Sequence, residues 1–312
     1  ALWVPGTDHA AIATQNRVEK DLWKDQKKTR HDFPREAFLQ MVRDFVEKSK
    51  NTICSQVKKM GSSCDWTREA YTMDEKLNET VYSVFEKMFH DGLIYRGDRI
   101  VNWCTRCHST LADDEVSYQE ITGKFYHFRY GPFEIATARP ETKYGDHIVV
   151  VHPNDDRYKG YHGKKITVDW IGVDPVIATV VADSITDKDF GTGVLTATPA
   201  HSFDDFDLAK RHGFEVVQMI DEEGRMTKSN GPYAGLTVEE AREKFVEILR
   251  QKGLLLKIDE QYQHSVSVCY RCGTIIQPLI SKQWFIDVNH PIAHWDYESL
   301  QLEKGRSYSL KE

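Results

Sequence analysis

Two Cys-x-x-Cys pairs carry the strongest chemical signal in the chain: Cys104-Thr-Arg-Cys107 and Cys269-Tyr-Arg-Cys272. Tetrahedral zinc takes four soft ligands at about 2.3 Å, and each Cys-x-x-Cys turn presents two thiolates on one side, so two turns close a four-cysteine site. The arginine and backbone N–H groups of each turn would offset the excess negative charge of such a centre. A redox pair usually occurs once, beside a βαβ pattern, which favours structural zinc here. The pairs are separated by 161 residues, far more than a local zinc ribbon contains. The metal is therefore expected to pin the two ends of an inserted domain as a stalk. Cys54 and Cys64 stand outside the pairs and read as inert small hydrophobes.

The carboxylates of Ser202-Phe-Asp-Asp205 form a second signal, and it is ambiguous. A serine at N-cap followed by an acid at N3 makes Asp205 a helix-capping residue on local grounds. No Ser/His/Asp or Cys/His arrangement for nucleophilic catalysis is evident.

The elements that would position these residues can be read from periodicity. Phe38, Met41, Val42, Phe45 and Val46 recur at helical spacing between Pro34 and Met60. Thr72-Met-Asp-Glu75 has the form of a capping box for a helix over 73–90, with Leu77, Val81, Val84, Phe85, Met88 and Phe89 on one face and Gly92 as its stop. Between 121 and 220 the chain turns to short β-rich runs (KFYHFRY, FEIATA, HIVVV, KITVDW, PVIATVV, GVLTAT, FEVVQMI) punctuated by Gly, Pro, Asn and Asp, the texture of a compact barrel or sandwich. Helices are expected near 203–212 and over 238–251, the latter behind Thr237-Val-Glu-Glu240. There are no internal repeats and no low-complexity linker.

Composition bounds the function classes. The 312 residues, 40% hydrophobic and 29% charged, exclude a disordered or collagenous chain and suit two domains. The net charge of −7 excludes a globally basic nucleic-acid coat, although residues 16–60 carry twelve Lys/Arg against seven Asp/Glu. No apolar run reaches the roughly 18 residues of a membrane span, and six cysteines without a leader suggest a reducing, cytoplasmic setting. The opening ALWVPG, without Met, reads as the start of an excised piece.

Several strings carry a family resemblance. LWVPGTDHAAIATQ resembles a segment of the class I catalytic domain in its valyl-tRNA synthetase form. GLIYRGDRIVNWCTRCHSTLADDEVSYQE and CYRCGTIIQPLISKQWFIDV are similar to the two ends of that family's connective insertion, and TARPETKYGD with GTGVLTATPAHSFDDFDLAKRHG resembles the two signature stretches of its editing domain. The resemblance implies an α+β chain: a β-barrel-like editing domain inserted through a zinc-ribbon stalk into a partial Rossmann-type catalytic domain. It divides the chain into a catalytic segment (1–100), the outgoing half of the stalk (101–120), the editing barrel (121–262), and the returning half (263–312). The family's HIGH-like and KMSKS-like strings are absent, so this stretch is not expected to use ATP, although the full-length enzyme would use it to join valine to tRNA(Val).

The resemblance also implies roles. Asp205 would anchor the α-ammonium of the substrate, Thr198 would line the pocket and pair with the threonine hydroxyl and an attacking water, and Arg139 would face the terminal adenosine of the tRNA acceptor end. Thr137 and Thr142 would line the same pocket, Phe190 would stack on the adenosine, and Gly191 and Gly193 would let backbone approach the ribose. His201 would orient the water or serve structure alone. Asp8, in GTDHA, would contact the valine ammonium on the aminoacylation side. Two positions depart from the family pattern: Thr196, where lysine is common, and Ser202, where aspartate follows the histidine. The implied reaction is deacylation of mischarged Thr-tRNA(Val) by a monomer with zinc in Cys104, Cys107, Cys269 and Cys272. A non-catalytic zinc module that docks the acceptor end is the rival reading.

Overall fold

The structure, a computed structural model, describes residues 1–169, 175–292, 308 and 309. Trp170 of the expected KITVDW strand, and residues 293–307 and 310–312 of the expected return segment, lie outside the described residues. The chain divides into two compact units: Asp98–Ser281, and the flanking residues from Ala1 to Gly97 and from Lys282 onward.

The flanking unit is mainly helical. Strand β1 (Gly6–Thr7) pairs in parallel with β2 (Ala70–Tyr71), and between them run α1 (Ala11–Gln26) and α2 (Arg35–Lys59). These helices bury Val18 and Leu22 of α1 against Phe38 of α2. Apolar spacing marks α2 but not α1, whose buried side is too narrow to stand out among its charges. Helix α3 (Glu75–His90) starts two residues later than the Thr72 box predicts. The Thr72 hydroxyl is engaged elsewhere: it donates to Asp8 Oδ1 at 3.1 Å and accepts from the His9 backbone N–H at 2.9 Å. Asp74 occupies the N-cap, and its carboxylate accepts from the Tyr71 N–H at 2.8 Å. The apolar stripe of α3 is real, yet none of its residues is buried; Val81 is 63% exposed.

In the Asp98–Ser281 unit, β3 (Ile94–Cys104, which begins before the boundary) forms a hairpin with β4 (Ser109–Leu111). Strand β5 (Val116–Tyr130) pairs antiparallel with β6 (Phe133–Thr137) on one side. A four-stranded sheet follows from β7 (Ile148–Val151), β8 (Lys165–Val168), β9 (Val176–Ala182) and β10 (Val194–Ala197), in the order β10-β7-β9-β8, with only β7 and β9 parallel. Helices α4 (Phe203–His212) and α5 (Val238–Gln251) precede β11 (Leu255–Cys269), which returns along the other side of β5, and β12 (Gln277–Ile286) neighbours β3.

No closed barrel forms among the described residues, contrary to the barrel expectation. The β-rich runs build two open sheets because β7 is buried on both faces. Val149 and Val151 join Phe128, Ile135 and Phe245 in the main core. Ile148 and Val150 face the other way, against Leu208 and Ala209 of α4. A sheet covered on both sides needs helices as cover rather than its own closure. FEVVQMI forms no strand of its own: only Ile220 makes an isolated bridge, to Met226.

Candidate functional site

Thr198 is the hub of a buried polar cluster, and the strand–helix junction around it explains why. Strand β10 ends at Ala197, the chain turns through Pro199 and Ala200, and α4 begins at Phe203. Ser202 is the N-cap: its hydroxyl accepts from the Asp205 N–H at 3.3 Å. With that role filled by Ser202, the Asp205 side chain is free to turn back, and its Oδ2 accepts from the Thr198 N–H at 2.8 Å. Its other oxygen accepts no hydrogen bond from the described residues. The Asp205 carboxyl lies above the ordinary carboxylate range because burial disfavours its charge, partly offset by the Thr198 N–H and Lys143. Asp204, the adjacent acid, is exposed.

The opposite wall is the 3₁₀ turn Pro140–Gly145, from TARPETKYGD. The Thr198 hydroxyl donates to Asp146 Oδ1 at 2.7 Å, and Thr142 Oγ1 lies 3.3 Å from it. Thr142 also reaches the Arg139 carbonyl at 3.2 Å. Lys143 Nζ contacts Asp146 Oδ2 at 2.7 Å, the Thr196 carbonyl at 3.1 Å and Thr198 Oγ1 at 3.3 Å. Thr196 is buried; it supplies a carbonyl, and the ammonium of the site comes from Lys143 in the facing turn. The Thr198 hydroxyl proton, expected to serve substrate and water, is committed to Asp146.

Arg139 leaves this cluster and reaches Gln277 Oε1 at 2.7 Å, while its backbone N–H donates to Thr137 Oγ1 at 3.0 Å. Its other neighbour is Glu141, wholly buried and bridged by two nitrogens of Arg242 at 2.8 and 3.0 Å. Burial alone would raise the Glu141 carboxyl, but Arg242 and Arg139 outweigh it and hold it low. Beside Arg139 a cavity of about 670 Å³ opens, lined also by Tyr126, Arg242, His264 and Gln277.

His201 faces away from any reacting position. Its Nδ1 lies 2.8 Å from the Pro278 carbonyl, and its Nε2 accepts from the Met219 and Ile220 N–H groups at 2.9 and 3.0 Å. That pattern suits a neutral ring protonated on Nδ1. Burial, with a smaller push from Arg139, takes its pKa down to about 4. Phe190, Gly191 and Gly193 lie on a separate loop and make no contact with the cluster through the hydrogen bonds described. Phe190 is 66% exposed and is therefore no core residue. Gly193 (φ +73°) and Gly191 (φ +58°) both sit in the left-handed region; a Cβ at Gly193 would also come 3.0 Å from the Lys188 carbonyl, whereas nothing lies within 4 Å of one at Gly191. Asp8 belongs to the flanking unit.

The four cysteines converge as their spacing predicts. Their sulfurs all lie within 4.8 Å of one another, and those of Cys104 and Cys272 are 3.5 Å apart. Tetrahedral Zn–S bonds of about 2.3 Å require sulfurs about 3.8 Å apart, so the donor set could hold a metal. Both turns are built alike: the His108 and Gly273 N–H groups donate to the Cys104 and Cys269 carbonyls at 2.8 Å, each from a left-handed residue. Thr274 lies 3.2 Å from the Cys272 sulfur.

Residue type and spacing alone do not single out Lys143, Asp146, Glu141 or Arg242. The first three lie inside TARPETKYGD, so the motif marks them; what it cannot show is that Lys143 and Asp146 turn inward.

The family model described as tRNA synthetases class I (I, L, M and V) matches residues 1–304. Valine--tRNA ligases are similar throughout: that of Nitratidesulfovibrio vulgaris is 49% identical over 91% of this chain and 32% of its own length. Those of Desulfotalea psychrophila (48%, over 94% and 33%) and Thermotoga maritima (44%, over 96% and 35%) match similarly. The chain thus spans about a third of the length of these relatives. With a match over nearly its whole length, the chain belongs to the class I tRNA synthetases of the I, L, M and V group.

Proposed function

We propose that the Asp98–Ser281 unit removes threonine from mischarged Thr-tRNA(Val), as the editing part of an enzyme that joins valine to tRNA(Val) with ATP. One observation carries the reading. The cluster around Thr198 holds two carboxylates, Asp146 and Asp205, and one ammonium, Lys143, which pairs with Asp146. Asp205 is buried with no cation in direct contact among the described residues, a position that a ligand ammonium would balance.

Chemical need supports it. An apolar pocket sized for valine rejects isosteric threonine by only about 10²-fold, so a second, polar site must remove the error. In that step water adds to the acyl carbonyl, the ester bond to the ribose oxygen breaks, and the ribose oxygen takes up a proton, leaving free threonine and tRNA(Val). This chain's residues would bind and orient: Asp205 the ammonium, Arg139 the terminal nucleotide, Phe190 its base. Both nitrogens of His201 are engaged by backbone, so it is not assigned as the base. Zinc in the four-cysteine site would hold the two stalk turns together.

The test is single-turnover deacylation of Thr-tRNA(Val) and Val-tRNA(Val) by wild type, Asp205→Ala and Asp204→Ala. Threonine is expected to be lost much faster than valine, with Asp205→Ala slowed about 10²–10³-fold or more, as for a broken buried pair, and Asp204→Ala unaffected. Equal rates for the two variants would remove Asp205 from the site, and binding of the acceptor end without any hydrolysis would favour a docking module.

A further inference from the structure

Lys143 is a fully engaged buried cation. It is 6% exposed, and its three ammonium hydrogens match three acceptors: Asp146 Oδ2, the Thr196 carbonyl and Thr198 Oγ1. None is left for a ligand. Thr198 meanwhile touches both acids of the cluster, giving its hydroxyl proton to Asp146 and its backbone N–H to Asp205. Two carboxylates joined through one residue repel each other's charge unless one has its own cation. Lys143 is placed on Asp146 and not on Asp205.

We propose that Lys143 is a positioning residue, pairing directly with Asp146 and the Thr198 hydroxyl and acting on Asp205 only through space, so that Asp205 is the carboxylate left without a contacting cation to meet a ligand ammonium. This rests on the functional reading above and specifies which group tunes its anion. The charged groups facing Asp205 are Lys143, which favours its ionised form, and Asp146 and Asp204, which oppose it. Removing the lysine leaves only the opposing pair; removing Asp146 leaves the lysine nearly alone.

The experiment follows the Asp205 carboxyl by NMR titration, alongside the pH profile of Thr-tRNA(Val) deacylation, in K143M, K143R, D146N and the double variant K143Q/D146N. K143M is expected to move the Asp205 midpoint upward by about one unit, so that deacylation on the acid side falls about tenfold and recovers at higher pH. D146N is expected to move the midpoint downward. K143R should stay near wild type, and K143Q/D146N should return the midpoint toward the wild-type value because both opposing charges are gone. An Asp205 midpoint that is the same in K143M and D146N would overturn the proposal. Should K143M not fold, the double variant must still titrate above D146N, and equality of those two overturns it as well. A wild-type chain that releases no threonine at any pH defeats the functional reading, while the titrations still decide the role of Lys143.

Discussion

Burial sets Asp205 against the stability of its own fold. Its carboxyl is raised above the value of 3.8 it has when exposed, with desolvation as the main cause. A raised carboxyl contributes fully below the unfolded value, and stability declines as pH rises through the folded one. At pH 7 the ionised form is therefore a cost to the fold. Asparagine keeps an acceptor for the Thr198 N–H and removes the charge. Asp205→Asn is thus expected to be as stable as wild type or more so in urea unfolding at pH 7, while deacylation falls at least 10²-fold; a variant both less stable and fully active would contradict this. His201 shows the opposite dependence. Its pKa falls from 6.5 to about 4, so the unfolded chain takes up a proton that the folded chain refuses. Stability is full above pH 6.5 and declines as pH drops toward 4, by about 3 kcal/mol in all. His201→Gln should lower stability at pH 7 yet flatten the urea midpoint between about pH 6.5 and 4.5. An unchanged slope there would mean that another group titrates.

At the scale of elements, the 3₁₀ turn Pro140–Gly145 joins the site to α5 through Glu141 and Arg242. Glu141 is wholly buried, whereas the Arg242 side chain is 31% exposed. Removing the arginine strands a buried carboxylate with only Arg139 at 3.5 Å. Breaking such a pair costs several kcal/mol, reduced here by the exposure of Arg242, so Arg242→Met is expected to lose about 2–3 kcal/mol in urea unfolding. Because Arg139 must then turn toward Glu141, binding of the tRNA acceptor end should weaken too. A stability loss below about 0.5 kcal/mol, the level of an ordinary surface change, would show that the turn is held by its other contacts. Helix α4 depends on a smaller device. Ser202 supplies the cap, and the Asp205 side chain instead turns back to the Thr198 N–H.

For the whole molecule the long-range juxtaposition is that of the four cysteines, which brings residues 104–107 beside residues 269–272 across 161 residues of chain. About one zinc per chain is expected by elemental analysis. Chelation, or Cys272→Ser, should lower the thermal midpoint of the Asp98–Ser281 unit, because a three-sulfur site loses much of the binding free energy that is coupled to folding. Metal-free protein with an unchanged melt would show that the turns hold without metal; each already closes through its own 2.8 Å backbone bond.

Local physics accounts for what the sequence by itself determined. Each Cys-x-x-Cys turn, the α2 period, the Ser202 and Thr237 caps that open α4 and α5, and the family motifs are set within a few residues, and their elements stand where the chain predicts them. Tertiary structure decided what depends on distant partners. Thr72 has the form of a cap, but Asp8 and His9 take its hydroxyl. The β-rich runs allow a barrel, but burial of both faces of β7 imposes open sheets covered by α4 and by the main core. Helix α3 has a clear apolar stripe, and no periodicity can say whether that stripe is covered. Asp205 reads locally as a capping acid and only by resemblance as a ligand anchor; the direction of its carboxylate depends on the Thr198 N–H, seven residues away. The inward turn of Lys143 depends on acceptors as far as 55 residues along the chain, a pairing only the fold can make.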